Sequence, residues 1–320
     1  MSIVAGIDEA GYGPWLGPLV VSATAFRVPP ELAEADFWRM LSGGVAARRA
    51  GADGRVVIAD SKVLFSGRRG LNWLEEGALA AMAAAGHQPE SLWSLVEALG
   101  AGLADEYRPY PWYDGAHLAL PVETDRDRVM VRARRLQRAL ARCRAEMAGV
   151  RSVPVLAGRF NRLLKRTRNK SEVAFQAVAF LLRRLRQAYG GEVIRVVVDK
   201  QGGRSHYLHL LMRHFPDADI EVRSETRLAS KYVLREPLGQ TQLVFRMRAD
   251  QDRLPVALAS MVSKYVRELF MLLFNQYWQE RIEGLARTSG YPADARRFIA
   301  ALREAGALDG TSKDLLIRRR

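Results

Sequence analysis

The sequence predicts an α/β domain built on a mixed sheet, and three observations carry that expectation. Apolar runs of strand length stand at residues 3–9, 18–27 and 193–198. Segments with helical periodicity separate them, the clearest at 170–188 and 256–282. A Gly-x-Gly-Pro turn joins the first two strands, Gly11-Tyr12-Gly13-Pro14.

The elements follow in order. Leu19, Val20, Val21, Ala23 and Ala25 are too apolar for an exposed edge, so the first two strands form a hairpin inside a buried sheet. A helix is expected around 31–41, a strand near Val56–Ile58, a loop at Gly67–Gly70 and a helix at 71–85. Prolines 89, 109, 111 and 121 break the pattern between 86 and 125. The aromatic cluster Tyr107, Tyr110, Trp112 and Tyr113 lies there and reads as packing before base stacking. A long basic helix is expected over 124–148, and a short strand at Val153–Leu156. After the strand at 193–198 come a turn with Gly202 and Gly203, a helix at about 205–214, strands at Ile220–Val222 and Leu243–Met247, and helices at 256–282 and 295–306. Residues 1–88 and 171–320 are expected to form the core, and 89–170 a basic, mostly helical insertion.

With 49 Lys and Arg against 35 Asp and Glu, the chain carries a formal charge of +14. That excess favours a polyanionic partner bound through phosphates. Cys143 is the only cysteine, which excludes an internal disulfide and a cysteine-based zinc site. No apolar run reaches transmembrane length, and the first residues do not read as a leader, so a cytosolic protein, a monomer, is expected.

Four acids stand out by position. Asp8 and Glu9 end the first strand, Asp199 ends the strand at 193–198, and Asp250 follows the strand at 243–247. Neighbouring strands would bring them together from distant parts of the chain. Carboxylates a few ångströms apart raise one another's pKa unless a cation joins them. Mg2+ or Mn2+, held by oxygen, removes that cost. Two such ions about 4 Å apart activate water and stabilise a leaving oxygen in phosphodiester hydrolysis. In a strict strand Asp8 and Glu9 point to opposite faces, so the strand bends there or the turn carries one of them to the centre. The basic run Arg159–Lys170, with Arg162, Lys165 and Arg166, offers phosphate contacts or a solvated face.

These residues resemble the type 2 ribonucleases H, the family of bacterial ribonucleases HII and HIII. Asp8-Glu9-Ala10-Gly11-Tyr12-Gly13-Pro14 is similar to its opening Asp-Glu-Ala-Gly-Arg-Gly-Pro, and Asp60-Ser61-Lys62-Val63-Leu64 to its Asp-Ser-Lys-x-Leu. Val196–Asp199 resembles the strand of its third acid, and Arg248-Ala249-Asp250 its Lys-Ala-Asp. Ala259–Glu268 is similar to its Ala-Ser-Ile-x-Ala-Lys-x-x-Arg-Asp, and Gly290-Tyr291 is a weaker echo of its Gly-Tyr-Gly-Thr. The likeness covers roughly 1–85 and 190–306.

The resemblance implies a ribonuclease H-like fold, a mixed five-stranded sheet flanked by helices. It implies a two-metal Mg2+ or Mn2+ endonuclease acting on RNA–DNA hybrids or on ribonucleotides embedded in DNA, and leaving a 5′-phosphate. Asp8, Glu9, Asp199 and Asp250 would bind metal. Lys264 would contact phosphate or position an acid, and Ser260 would support the site. Gly11, Tyr12, Gly13, Lys62 and Arg248 would meet substrate. Tyr12 stands where the family has Arg, which removes a charge and a bidentate fork. Two alternatives stay open: a nuclease with another target, such as branched DNA or structured RNA, and a nucleic-acid-binding protein without catalysis.

Overall fold

The computed structural model describes residues 1–65, 70–100, 104–200, 203–237, 239–308 and 312–319. The expected loop at 67–69 and Gly202 of the expected turn lie outside them. The main sheet has seven strands: β1 Ser2–Ala10, β2 Leu19–Val28, β3 Glu146–Val155, β4 Val193–Asp199, β5 Asp219–Glu225, β6 Ala229–Glu236 and β7 Gly239–Arg246. Their order is β3-β2-β1-β4-β7-β6-β5. β1 is antiparallel to β2, while β1, β4 and β7 run parallel side by side. A mixed α/β sheet flanked by helices is therefore present, with seven strands rather than five.

β5, β6 and β7 form an antiparallel meander that extends the sheet at one end. β6 was not legible in sequence, because its pattern Ala-Ser-Lys-Tyr-Val-Leu-Arg-Glu mixes charged and apolar residues on one strand. At the other edge, the basic helix expected over 124–148 ends at Arg142, and the chain enters β3 at Glu146. Arg144 makes the reversal with φ 52°. Pro154 is tolerated in β3 because β3 is an edge strand. Segment 89–170 thus adds a strand to the sheet as well as helices.

The helices used below are α1 Ser61–Leu64, α2 Gly70–Ala84, α3 Leu92–Ala98, α4 Arg126–Arg142, α5 Ala157–Thr167, α6 Lys170–Tyr189, α7 Leu208–His214, α8 Ala249–Asp252, α9 Leu254–Gln279, α10 Pro292–Glu304 and α11 Lys313–Leu316. The helix expected at 31–41 is only a 3-10 turn at Pro30–Leu32 and a short helix at Phe37–Met40, capped by Asp36. Val56–Val57 pairs only with Val45–Ala46, in a separate two-stranded ribbon. None of the helices is long and apolar enough to cross a membrane, among the described residues.

Two apolar layers sandwich the sheet. α6 covers one face with Phe175, Val178 and Leu182 against Ile3, Ile7 and Val196. α9 covers the other with Ala257, Met261 and Tyr265. The start of α9 comes so close to β1 that a Cβ on Gly6 would lie 2.2 Å from the Pro255 carbonyl carbon. Thr24 secures the same crossing by donating its hydroxyl to Pro255 O at 2.6 Å. Glycine at this point lets helix and strand backbones touch.

The aromatic cluster is packing. Tyr107, Tyr110, Trp112 and Tyr113 are all buried; Tyr107 and Tyr113 meet Phe270 of α9, Trp112 meets Phe274, and Tyr110 packs on Trp112 and Tyr113. Much of the basic helix α4 is internally engaged as well. Arg128 and Arg132 both pair with the buried Glu76 of α2, at 2.6 and 2.7 Å.

Candidate active site

Three parallel strands deliver the acids to one edge of the sheet. Ile7 is paired with Val198 across β1 and β4, so Asp8 and Asp199 follow at the same level on adjacent strands. Asp199 in turn lies opposite Arg246, and the chain leaves β7 there for α8, which carries Asp250. Arg248 makes that exit with φ 54°. Carboxyl ends of parallel strands are where α/β sheets form their crevices.

A cavity of about 600 Å³ opens at this edge. Of the residues singled out in sequence, Asp8, Glu9, Gly11, Tyr12, Gly13, Lys62, Asp199, Arg248, Asp250, Ser260 and Lys264 line it. Arg162, Lys165 and Arg166 do not; they are exposed on α5, outside the cavity. Strand β1 stays regular through Ala10, yet both Asp8 and Glu9 reach the cavity, because it wraps around the strand end. A smaller cavity of about 320 Å³ between β4, β7 and the start of α9 contains none of the four acids.

Hydrogen bonds hold Asp8 and Asp199 in place. Asp8 is buried under α9 and accepts the Glu9 N–H at 2.7 Å. Ser263 donates to the Asp8 carbonyl at 3.0 Å and meets Ser22 at 2.8 Å, which in turn meets Ser152 at 2.9 Å. This hydroxyl chain ties β3, β2 and β1 to the helix. Ser260 bonds the Asp8 side chain and contacts Ser61 at 3.0 Å, joining α9 to α1. Asp199 accepts the Ala249 N–H at 2.7 Å, which fixes α8 relative to β4.

The electrostatics tie the group together. Burial, then the charges of Glu9 and Asp199, hold the Asp8 carboxyl well above the usual range, and Asp250 adds to this. Burial chiefly pushes Asp199 up to about 6; Asp250 adds to it, while the Ala249 N–H and Lys62 oppose it. Asp250 is raised by burial and by Asp60, with Lys62 again opposing. Asp60, which caps α1 through the Lys62 N–H at 2.8 Å, is therefore a fifth acid in the field of the site.

Lys264 is turned to a local partner. Its ammonium pairs with Glu268 one turn on and sits 4.0 Å over the Phe65 ring. Tyr12 is half-buried, with the Lys170 ammonium 4.7 Å over its ring, and burial and Glu9 raise its pKa. Gly11 has φ 84°, and a Cβ there would lie 2.6 Å from Pro18 O. The turn therefore closes only around glycine.

Sequence reasoning assigned no role to Arg267, Glu268, Ser289 or Tyr291, which also line the cavity. Arg267 is buried and donates to Pro18 O at 3.0 Å, Leu16 O at 3.3 Å and Ser289 O at 2.8 Å. Its position one residue before Glu268 in the matched block was the only available signal.

No protein-family model and no curated protein matches the chain. Solved structures do. The chain is similar to ribonucleases HII and HIII. One is the ribonuclease HII of Archaeoglobus fulgidus, solved in a complex with PCNA: 16% identity, TM-score 0.43, 99% of this chain and 94% of that one. Another is ribonuclease H3 of Aquifex aeolicus, with 15% identity and TM-score 0.38 over 98% of this chain and 71% of that one. A third is Bst-ribonuclease HIII in complex with Mn2+, with 14% identity and TM-score 0.44 over 99% of this chain and 65% of that one.

Among the described residues, no group of three or more His, Cys, Asp or Glu side chains is disposed to hold a metal ion. The chemistry of the donors nevertheless fits a hard divalent cation. They offer only carboxylate oxygen, and Asp8 and Asp199 carry pKa values raised by burial and by neighbouring carboxylates. A divalent ion relieves that repulsion.

Proposed function

We propose that this chain is a divalent-metal-dependent endonuclease that hydrolyses phosphodiester bonds, with the RNA strand of RNA–DNA hybrids or ribonucleotides embedded in DNA as its target. The observation that carries this reading is the meeting of Asp8, Glu9, Asp199 and Asp250 at one open cavity, where burial first and then the other three charges push Asp8 up. Asp8, Glu9, Asp199 and Asp250 would hold Mg2+ or Mn2+, which when bound supplies an activated water and stabilises the leaving oxygen, so that the product keeps a 5′-phosphate.

The chain's own residues do the rest. Buried Asp8, bonded to the Glu9 N–H and to Ser260, is oriented before substrate arrives. Asp199 is likewise oriented by the Ala249 N–H. Lys62 and Arg248, both exposed at the cavity, offer cations to the phosphates flanking the reacting bond. The Tyr12 hydroxyl and the backbone of Gly11–Gly13 stand where a 2′-hydroxyl or phosphate could be bonded. Arg162, Lys165 and Arg166 would serve only substrate that extends beyond the cavity.

One observation favours a second reading. Tyr12, backed by Lys170, stands in the glycine turn without a guanidinium, which suits a changed target such as branched DNA or structured RNA. The test is a cleavage panel with Mg2+ or Mn2+: duplexes with one, four or all ribonucleotides in a strand, plain DNA, branched DNA and structured RNA. Cleavage at ribonucleotides, lost in Asp8→Asn and Asp250→Asn, supports the first reading. Cleavage of branched DNA or structured RNA alone supports the second. Salt-sensitive binding with no cleavage, unchanged in both variants, leaves a binding protein and defeats both.

A further inference from the structure

The limb of the glycine turn behind the cavity is held from two sides. Trp15 and Leu16 donate their N–H groups to Gly290 O at 2.8 and 3.3 Å. Arg267 takes the carbonyls of Leu16 and Pro18. The carbonyls of Pro14 and Trp15 are taken by a residue at the far end of the sequence. Arg318 donates its backbone N–H to Trp15 O at 2.8 Å and its guanidinium to Pro14 O.

The segment carrying Arg318 is itself anchored. Asn161 of α5 donates to Asp314 O at 2.9 Å and to Ile317 O at 2.8 Å, and accepts the Arg319 N–H at 2.7 Å. Arg318 is only 2% exposed, and its guanidinium lies 5.1 Å over the Phe160 ring. Its Nε and Nη1 are buried without a hydrogen-bond partner. This is a poor way to gain stability, since an apolar side chain of similar length would fill the site without desolvating a charge. What the guanidinium adds is a fixed donor on the carbonyl of Pro14, next to Gly13.

We infer that Arg318 is a positioning residue for the turn Gly11–Pro18, holding Gly11–Gly13 against the acid cavity through the carbonyls of Pro14 and Trp15. Its effect on turnover rests on the nuclease reading above; its effect on the turn does not. Without the guanidinium, the limb keeps the Gly290 and Arg267 bonds and the Arg318 N–H on Trp15 O, but loses the donor on Pro14 O, next to Gly13.

The test compares Arg318→Met, Arg318→Lys and the control Arg319→Ala, whose side chain bonds only the exposed Asp314. Amide hydrogen exchange reads Trp15 and Leu16 against β1, alongside Tm, kcat and KM on a ribonucleotide-containing duplex. In Arg318→Met, exchange at Trp15 and Leu16 accelerates about tenfold or more, while β1 exchange and Tm stay near wild type or Tm rises. The value of kcat falls about ten- to a hundredfold with a smaller change in KM. Arg318→Lys, which retains a donor, recovers part of both effects, and Arg319→Ala moves neither. Unchanged exchange at Trp15 and Leu16, or equal acceleration there and in β1 with a lower Tm, overturns the inference. If the wild-type protein cleaves nothing in the panel, the nuclease reading falls while exchange still decides the role of Arg318.

Discussion

Asp8 and Asp199 each follow directly on one member of a laterally paired couple, Ile7 and Val198, on adjacent parallel strands. Residues separated by most of the chain are thereby made neighbours, and their charges add to a shared cost of burial. That cost, and the means of relieving it, yields the first prediction.

In chelator, the acid site opposes folding as pH rises. The folded-state pKa of Asp199, about 6, exceeds its ordinary value of 3.8, so its contribution is fully present below pH 3.8 and is lost as pH climbs through about 6. Asp199→Asn is expected to remove that loss and to stabilise the protein at pH 7 by roughly 1–3 kcal/mol. Asp8→Asn acts in the same direction. Mg2+ or Mn2+ should raise Tm in wild type and much less in either variant. Thermal unfolding from pH 4 to 7.5 with and without the ion is the check. Equal Tm gains in all three proteins would contradict a cation at these acids.

Asp294 carries the opposite sign. It accepts from Thr288, from both the N–H and the hydroxyl of Ser289, and from Arg297, and these bonds hold it down at about 2 despite some burial. Its contribution is present above pH 3.8 and disappears as pH falls through about 2. The loop Thr288–Tyr291 packs on the glycine turn through Gly290 O. Asp294→Asn should therefore lower stability at pH 7 and flatten the acid limb between about 4 and 2. Acid titrations of the two proteins that run parallel would refute this.

Gly11→Ala should be costly despite its small size. The residue would be held at φ 84° with its Cβ 2.6 Å from Pro18 O and 2.8 Å from the Arg267 Cδ. Strain and overpacking together predict a loss of about 1–3 kcal/mol. Denaturant melts measure the loss. Cleavage should fall further than stability, because Gly11 and Tyr12 line the cavity.

Glu75 links the site helix to segment 89–170. It is fully buried and accepts the N–H groups of Val122 and Glu123 at 2.7 Å, that of Thr124 at 2.9 Å and the Tyr265 hydroxyl at 2.8 Å. Glu75→Ala strands four donors and should cost about 3–5 kcal/mol. Tyr265→Phe removes one donor and leaves three, so about 1 kcal/mol is expected. Urea melts of both variants check the ordering, and a Tyr265→Phe loss equal to that of Glu75→Ala would reject it.

Local chemistry made much of this molecule legible. The near-continuous apolar runs of β1 and β2 mark strands buried on both faces, and that of β4 a strand buried on one face and half-buried on the other. The periodicities of α6 and α9 fix long helices, and Asp8, Glu9, Asp199 and Asp250 could be picked out because each stands at the end of a strand or just beyond it. β6 was hidden because Lys231, Arg235 and Glu236 stand among its buried Tyr232, Val233 and Leu234, and of β3 only the end at Val153–Leu156 was expected, because Gly149 and Pro154 look like breakers until an edge position makes them harmless.

By itself the sequence determined which segments could be strands and helices and which residues carried charge, since propensity and periodicity are local. Only the tertiary structure decided which partners those charges found. Lys264 meets Glu268 and Phe65, the aromatic cluster closes over α9, and Arg318 reaches the turn that begins at Gly11. Such pairings depend on strand order and on the crossing of α9 over β1, and contacts between residues hundreds of positions apart leave no periodic trace in the chain.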